Sequence, residues 1–118
     1  MLSHETTHAG PDEVVVSVIT AQLEAAHFQE IVDEVTEVLR AESTSLPGFV
    51  TGHVMVSTDA KKLAIITEWR NDHFWSASRY DKRVGQMLEH CLANSSFLDF
   101  ELYSGKAHFA GTKSDKEN

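Results

Sequence analysis

The chain has 118 residues, 42% of them hydrophobic, and a formal net charge of -8. That length bounds one domain with a modest core, of the size at which roughly two-thirds of the chain's surface is buried on folding, and the acidic balance argues against nucleic acid and against an anionic membrane surface, both of which draw on clustered Lys and Arg. No apolar run approaches the ~20 residues needed to span a bilayer, the polar start holds no signal-peptide core, and the single Cys91 excludes a disulfide framework, so a cytoplasmic protein is expected.

Residues 1–11 are polar, end in Gly10-Pro11 and carry no apolar periodicity, which reads as a loose tail. Within it, His4-Glu5-Thr6-Thr7-His8 matches the HExxH pattern of zinc proteases. That motif works only on a stable helix, and here two β-branched threonines sit inside it with Gly10-Pro11 close behind, so the match is ascribed to chance. The segment 12–22 contains Val14-Val15-Val16-Ser17-Val18-Ile19, apolar at nearly every position, as expected of a central strand covered on both faces. From 24 to 43 the apolar residues Phe28, Ile31, Val32, Val35, Val38 and Leu39 recur at three-and-four spacing. They form one helix face, and Glu30, Asp33, Glu34, Glu37 and Glu42 form a solvated acidic one.

Pro47-Gly48 ends that helix, because proline cannot continue it and glycine adopts the angles needed to leave. Two β-branched runs follow, at 49–57 and 63–70, joined by the polar Thr58-Asp59-Ala60-Lys61, and they read as a hairpin. Alternation places Val50, Gly52, Val54 and Val56 on one face of the first, with Phe49, Thr51, His53 and Met55 on the other. In the second, Leu63, Ile65, Thr67 and Trp69 alternate with Ala64, Ile66, Glu68 and Arg70. Both faces are partly apolar. A sheet covered by two helices needs only one apolar face, so the second is expected to pack against another copy, giving a homodimer through the sheet face.

Asn71 or Asp72 is the expected N-cap of a second helical region. Its first half, with Phe74, Trp75 and Tyr80, is irregular; its second half has Val84, Met87, Leu88, Cys91 and Leu92 in register, so a bend is expected near Tyr80-Asp81. Cys91, on the apolar face, reads as a buried inert thiol. Asn94-Ser95-Ser96 ends the helix, and a last strand at 98–108 alternates Phe100 and Leu102 with Glu101 and Tyr103. Residues 109–118 read as a second tail. The order is β-α-β-β-α-β, an α+β, ferredoxin-like pattern with an antiparallel sheet in the order 4-1-3-2.

Leu46-Pro47-Gly48-Phe49, the hairpin, Thr67-Glu68-Trp69 and the aromatic Phe74-Trp75 together resemble the antibiotic biosynthesis monooxygenase family over about residues 12–108. The resemblance implies a ferredoxin-like domain whose sheets close in pairs into a dimeric α+β barrel, with a site between helices and sheet. Anthrone-oxidising members carry an Asn and a Trp four residues apart at the start of the second helix and a Tyr beyond. Asn71, Trp75 and Tyr80 match that arrangement. The resemblance then implies cofactor-free oxidation, by O₂, of a small aromatic molecule of phenol, quinol or anthrone type. Asn71 would donate to the enolate oxygen, Trp75 contact the ring system and Tyr80 relay a proton. The plain structural alternative makes Asn71 a cap, Trp75 core and Tyr80 packing.

His53, Trp69 and His90 stand as further substrate-contact candidates. His53 serves as a base if its face points into the site, and is an interface residue if it faces a partner. His90 also suits a helix end, where the C-terminal dipole favours a cation. Haem-cleaving members use an Asn on the first strand, which is missing here. Metal binding by His53, His73 and His90 has no supporting spacing. A second reading, from a different class, is a non-catalytic dimeric protein that holds a small ligand; a third, implied by the same resemblance, is an isomerase or haem-handling role.

Overall fold

In a computed structural model, which describes residues 13–111, the four strands form one antiparallel sheet. The chain runs β1 (Val15–Leu23), α1 (Phe28–Ala41), β2 (Phe49–Val56), β3 (Lys62–Trp69), α2 (Asp72–Ser78), α3 (Lys82–Ala93) and β4 (Ser95–Ser104), with short 3₁₀ turns at Ala25–His27 and Ser43–Ser45 bracketing α1. The spatial order β2-β3-β1-β4 is the expected 4-1-3-2. The His4 to His8 motif and the tail before Glu13 lie outside the described residues, as does the chain beyond Gly111.

β1 is central because its valine-rich run is flanked on both sides, by β3 (Ile19 opposite Ile65) and by β4 (Ile19 opposite Phe100). Period two then sorts the side chains. Val15, Ser17, Ala21 and Leu23 of β1 and Leu63, Ile65 and Trp69 of β3 are buried on the helix side. α1 lays Ile31, Val35, Val38 and Leu39 onto this face, and α3 adds Val84, Met87 and Cys91. A Glu34 carboxylate 2.8 Å from His90 Nδ1 ties α1 to α3 at the surface.

The opposite face presents Val16, Val18, Ala64 and Ile66, half-buried in the single chain, with Met55, Phe97 and Tyr103 exposed beside them. No helix among the described residues is long and apolar enough to cross a membrane.

β2 and β4 differ most from the sequence reading, β4 running Ser95–Ser104 where 98–108 was expected. β2 carries a bulge: Phe49 pairs with Trp69 and Thr51 with Glu68, so Val50 is the extra residue. Phe49 therefore shares the helix side with Trp69 (edge-to-face, centroids 5.3 Å apart) instead of the outer side with His53. Simple alternation fails there because a bulge consumes one residue without changing face. β4 starts at Ser95, not 98, because Asn94 makes the connection within one residue. Its amide closes on the carbonyl of His90 (3.2 Å) and its carbonyl accepts from Glu24 N (2.9 Å).

Candidate functional site

Between the helices and the inner faces of β1, β3 and β4 lies a cavity of about 220 Å³. It is shaped first by how the chain leaves β3. Asn71 sits in extended conformation and its Oδ1 accepts hydrogen bonds from the amides of His73 (3.0 Å) and Phe74 (3.1 Å), capping α2. Gly48, with φ +82°, lets Phe74 close over it: a Cβ there would clash with Phe74 Cγ. These two contacts fix the start of α2, and with it Trp75.

α2 ends after two turns. The amide of Tyr80 bonds to the carbonyl of Ala77 (3.1 Å) and that of Asp81 to Ser78 (3.1 Å), after which the Asp81 carboxylate accepts from Val84 N (3.1 Å) and caps α3. The bend expected near Tyr80-Asp81 is thus a break between two helices with a fresh N-cap. It aims the C-terminal turn of α2 at the edge strand. There the Trp75 indole stacks on Phe100 of β4, with centroids 5.7 Å apart and planes 9° from parallel. The Arg79 guanidinium lies over both rings, 5.2 Å from Trp75 and 6.0 Å from Phe100.

The cavity floor is Ser17, Ile19, Ile65, Thr67 and Trp69, and Met87, Leu88 and Leu92 of α3 form much of the roof. Thr67 Oγ1 accepts a hydrogen bond from Trp69 Nε1 (2.9 Å), which satisfies the buried indole. Ser78 donates to the carbonyl of Trp75 (2.6 Å). Ser17 and Ser43 are buried and line the cavity. Leu92, Phe100 and Arg79 line it while exposed, so its mouth lies beside them. Arg79 is the one ionisable side chain among the lining residues described.

Of the residues singled out from sequence, Trp69 and Trp75 are brought together in this wall. Asn71 stands behind it as the cap of α2. Tyr80 is turned to solvent, 87% exposed, because the helix break carries it away from the cavity. His53 pairs across with Ile66, on the face of the sheet opposite the cavity. His90 is on the outer side of α3, held by Glu34. Among the described residues no group of three or more His, Cys, Asp or Glu is placed to hold a metal. Cys91 is fully buried, and burial, with the nearby Glu34 charge adding to it, pushes its thiol up to about 11.

Sequence reasoning passed over Arg79, Phe100 and Ser17. Arg79 and Ser17 each carried a signal. Arg79 follows Trp75 by four residues, one helical turn, the spacing that sets a cation beside a ring. Ser17 is the single polar residue in the run from Val14 to Ile19, so it marks where the inner face of a central strand meets something other than hydrocarbon.

No family model and no curated protein matches the chain by sequence. Solved structures match it by shape. A conserved protein from Methanosarcina mazei superposes with a TM-score of 0.73 at 12% identity, over 80% of this chain and 95% of that one. Two proteins described provisionally as antibiotic biosynthesis monooxygenases do likewise. The one from Nitrosomonas europaea gives a TM-score of 0.72 at 11% identity, covering 78% of this chain and 89% of that one. The one from Bacteroides thetaiotaomicron gives 0.70 at 13%, covering 88% and 98%. At such identities the likeness is one of fold: the chain has the ferredoxin-like α+β fold of the structures named antibiotic biosynthesis monooxygenases.

Proposed function

We propose that the chain is a small monooxygenase that oxidises a phenolic or quinol-type aromatic molecule with O₂ inside this cavity, without a bound cofactor. The observation that carries the reading is the pocket itself, floored by Trp69, walled by the Trp75–Phe100 stack and lined elsewhere mainly by aliphatic residues, with Ser17, Ser43, Thr67, Ser78 and Arg79 among them. An electron-rich ring, once deprotonated, passes one electron to O₂; the radical and superoxide combine to a carbon-bound peroxide. Cleavage of the O–O bond with loss of the remaining C–H proton leaves a carbonyl on the ring and releases water, so each oxygen atom of O₂ is accounted for. The protein's part is to hold the anion away from bulk water and to stabilise charge as it moves.

Size favours the smaller end of the substrate range. A cavity of ~150 Å³ accommodates benzene. About 220 Å³ therefore suits one or two fused rings better than a three-ring anthrone. In this reading Trp75 and Trp69 contact the ring, and Asn71 acts through α2, as the residue that positions Trp75. Tyr80, His53 and His90 are assigned no contact with the substrate.

The working unit is proposed to be a homodimer formed through the outer sheet face, supported by the half-buried Val16, Val18, Ala64 and Ile66 and the exposed Met55, Phe97 and Tyr103 there. A second reading, ligand holding without turnover, is favoured by one observation: the described wall offers no carboxylate or imidazole to act as a base. Oxygen uptake by the purified protein, with naphthols and hydroquinones and no flavin or nicotinamide, separates the two. Consumption above the spontaneous rate is expected; ligand-induced stabilisation with no consumption would establish the second reading instead.

A further inference from the structure

Arg79 belongs to two hollows at once. It lines the mouth of the apolar cavity, and with Ser76, Tyr80, Gly85 and Leu88 it also walls a shallower, more polar hollow on the outer side of the α2–α3 break. Leu88 is the other residue common to both, so the two spaces meet at this pair. Among the described residues no carboxylate lies within ion-pairing distance of the Arg79 guanidinium, whereas neighbouring Arg83 is paired with Glu42 (3.7 Å). What holds Arg79 is the pair of ring faces beneath it. Ring contact does not use the N–H donors of a guanidinium, which number five and suit a planar oxyanion.

From this arrangement we infer that Arg79 is a specificity determinant, selecting an aromatic ligand that carries an ionised oxygen, a carboxylate or phenolate, at the end that faces the mouth. The inference rests on the cavity being the ligand site, as proposed above, and adds the charge of the ligand. The ring enters the pocket under the Trp75–Phe100 stack; the anion stops at the guanidinium, with Ser76 and Tyr80 lining the hollow beyond it. A chain with net charge -8 repels anions in general, so an anionic ligand needs a local cation of this kind to enter. A neutral ring gains only the apolar contacts.

The test uses 2-naphthoate and its neutral analogue 2-naphthalenemethanol, neither of which is oxidised under the conditions, titrated at pH 7 against the full chain while the fluorescence of Trp69 and Trp75 is followed. The wild-type protein is expected to bind naphthoate about tenfold more tightly than the alcohol, the size of one charge-assisted hydrogen-bonded contact. Arg79→Met, which keeps an apolar stem over the rings, is expected to abolish that preference while changing the alcohol's affinity by less than about twofold. Arg79→Lys is expected to restore part of it. Equal affinity for the two ligands in the wild-type protein, or an Arg79→Met variant weakened equally toward both, would overturn the inference and leave the cavity standing as the site. Failure of both ligands to quench fluorescence or to raise the melting temperature would overturn the site assignment as well.

Discussion

Trp75 is the residue on which binding turns, because one side of its indole faces the cavity and it also stacks on Phe100. Trp75→Ala is expected to weaken ring binding by tenfold or more, whereas Trp75→Phe, which keeps an aromatic partner for Phe100, is expected to lose less than the alanine variant; fluorescence from Trp69 reads both. Asn71 calls for a paired test. Asn71→Ala removes the acceptor for two α2 amides and should cost about 1 kcal/mol of stability, while Asn71→Asp keeps the acceptor and should retain both stability and turnover. Turnover lost in Asn71→Asp as fully as in Asn71→Ala, with the stability of the aspartate variant intact, would restore the direct enolate-donor role implied by the family resemblance. The Asn71 and Trp75 spacing was legible in the sequence, and so was the capping alternative. What the four-residue spacing did not convey is that both cap bonds engage the Asn71 carbonyl oxygen while the helix break sends Tyr80 outward.

Cys91 shows a buried group whose chemistry follows from packing. Its folded thiol is pushed up to about 11 from an ordinary value of 9.0. A raised value means that the fold favours the protonated form. This contribution is therefore fully present below pH 9 and is lost as pH rises through 11. Chemical denaturation at pH 8, 9.5 and 11 should show a steeper loss of stability for the wild-type chain than for Cys91→Ala, and iodoacetamide at pH 8 should leave the folded thiol unmodified.

At the scale of elements, the hairpin and the helix ends determine where the side chains go. The β2–β3 turn closes through the amide of Ser57 on the carbonyl of Lys62 (2.9 Å), and the Asp59 carboxylate accepts from Ser57 Oγ (2.7 Å) and Lys61 N (3.2 Å). Hydrogen bonding from Ser57 holds Asp59 below the usual carboxylate range. Ala60 sits at φ 59°, a conformation that costs an L-residue roughly 1 kcal/mol. Ala60→Gly is therefore expected to be neutral to slightly stabilising, by at most about 1 kcal/mol, in a thermal melt. Gly48→Ala is the opposite case. With φ +82° and Phe74 pressed against the position, it should cost more than about 1 kcal/mol and loosen α2, lowering ring affinity as well.

Strand and helix positions were readable because burial imposes period two on the strands and a three-and-four spacing on α1 and α3. The β2 bulge was not readable, since nothing in Phe49-Val50-Thr51 distinguishes a regular strand from one carrying an extra residue. The start of β4 at Ser95 was hidden by polar residues that also suit a helix end.

At the scale of the whole molecule, the sheet has two faces and the helices cover one. The outer face combines Val16, Val18 and Ile66 with Glu68 and Glu101, a mixture more apolar at its centre than a solvated surface requires. Sedimentation is expected to give a particle near twice the 13.2 kDa chain mass, and Ile66→Lys is expected to shift it toward the monomer without unfolding it. The pairing of an apolar outer face with a covered inner face was visible from alternation alone. The cavity was not, because it forms where the consecutive α2, α3 and β4 close over β1 and β3, bringing Ser17 and Ile19 to the same space as Met87 and Phe100.

The most direct measurement is the fate of isotopically labelled dioxygen in a reaction of the purified protein with a naphthol or hydroquinone, in the presence of a chelator and with no added cofactor. One labelled atom in the aromatic product and one in water, at a rate that falls at least tenfold in Trp75→Ala, is the result expected of oxygenation in this cavity. Product without label, or a labelled product formed equally fast by Trp75→Ala, would contradict it.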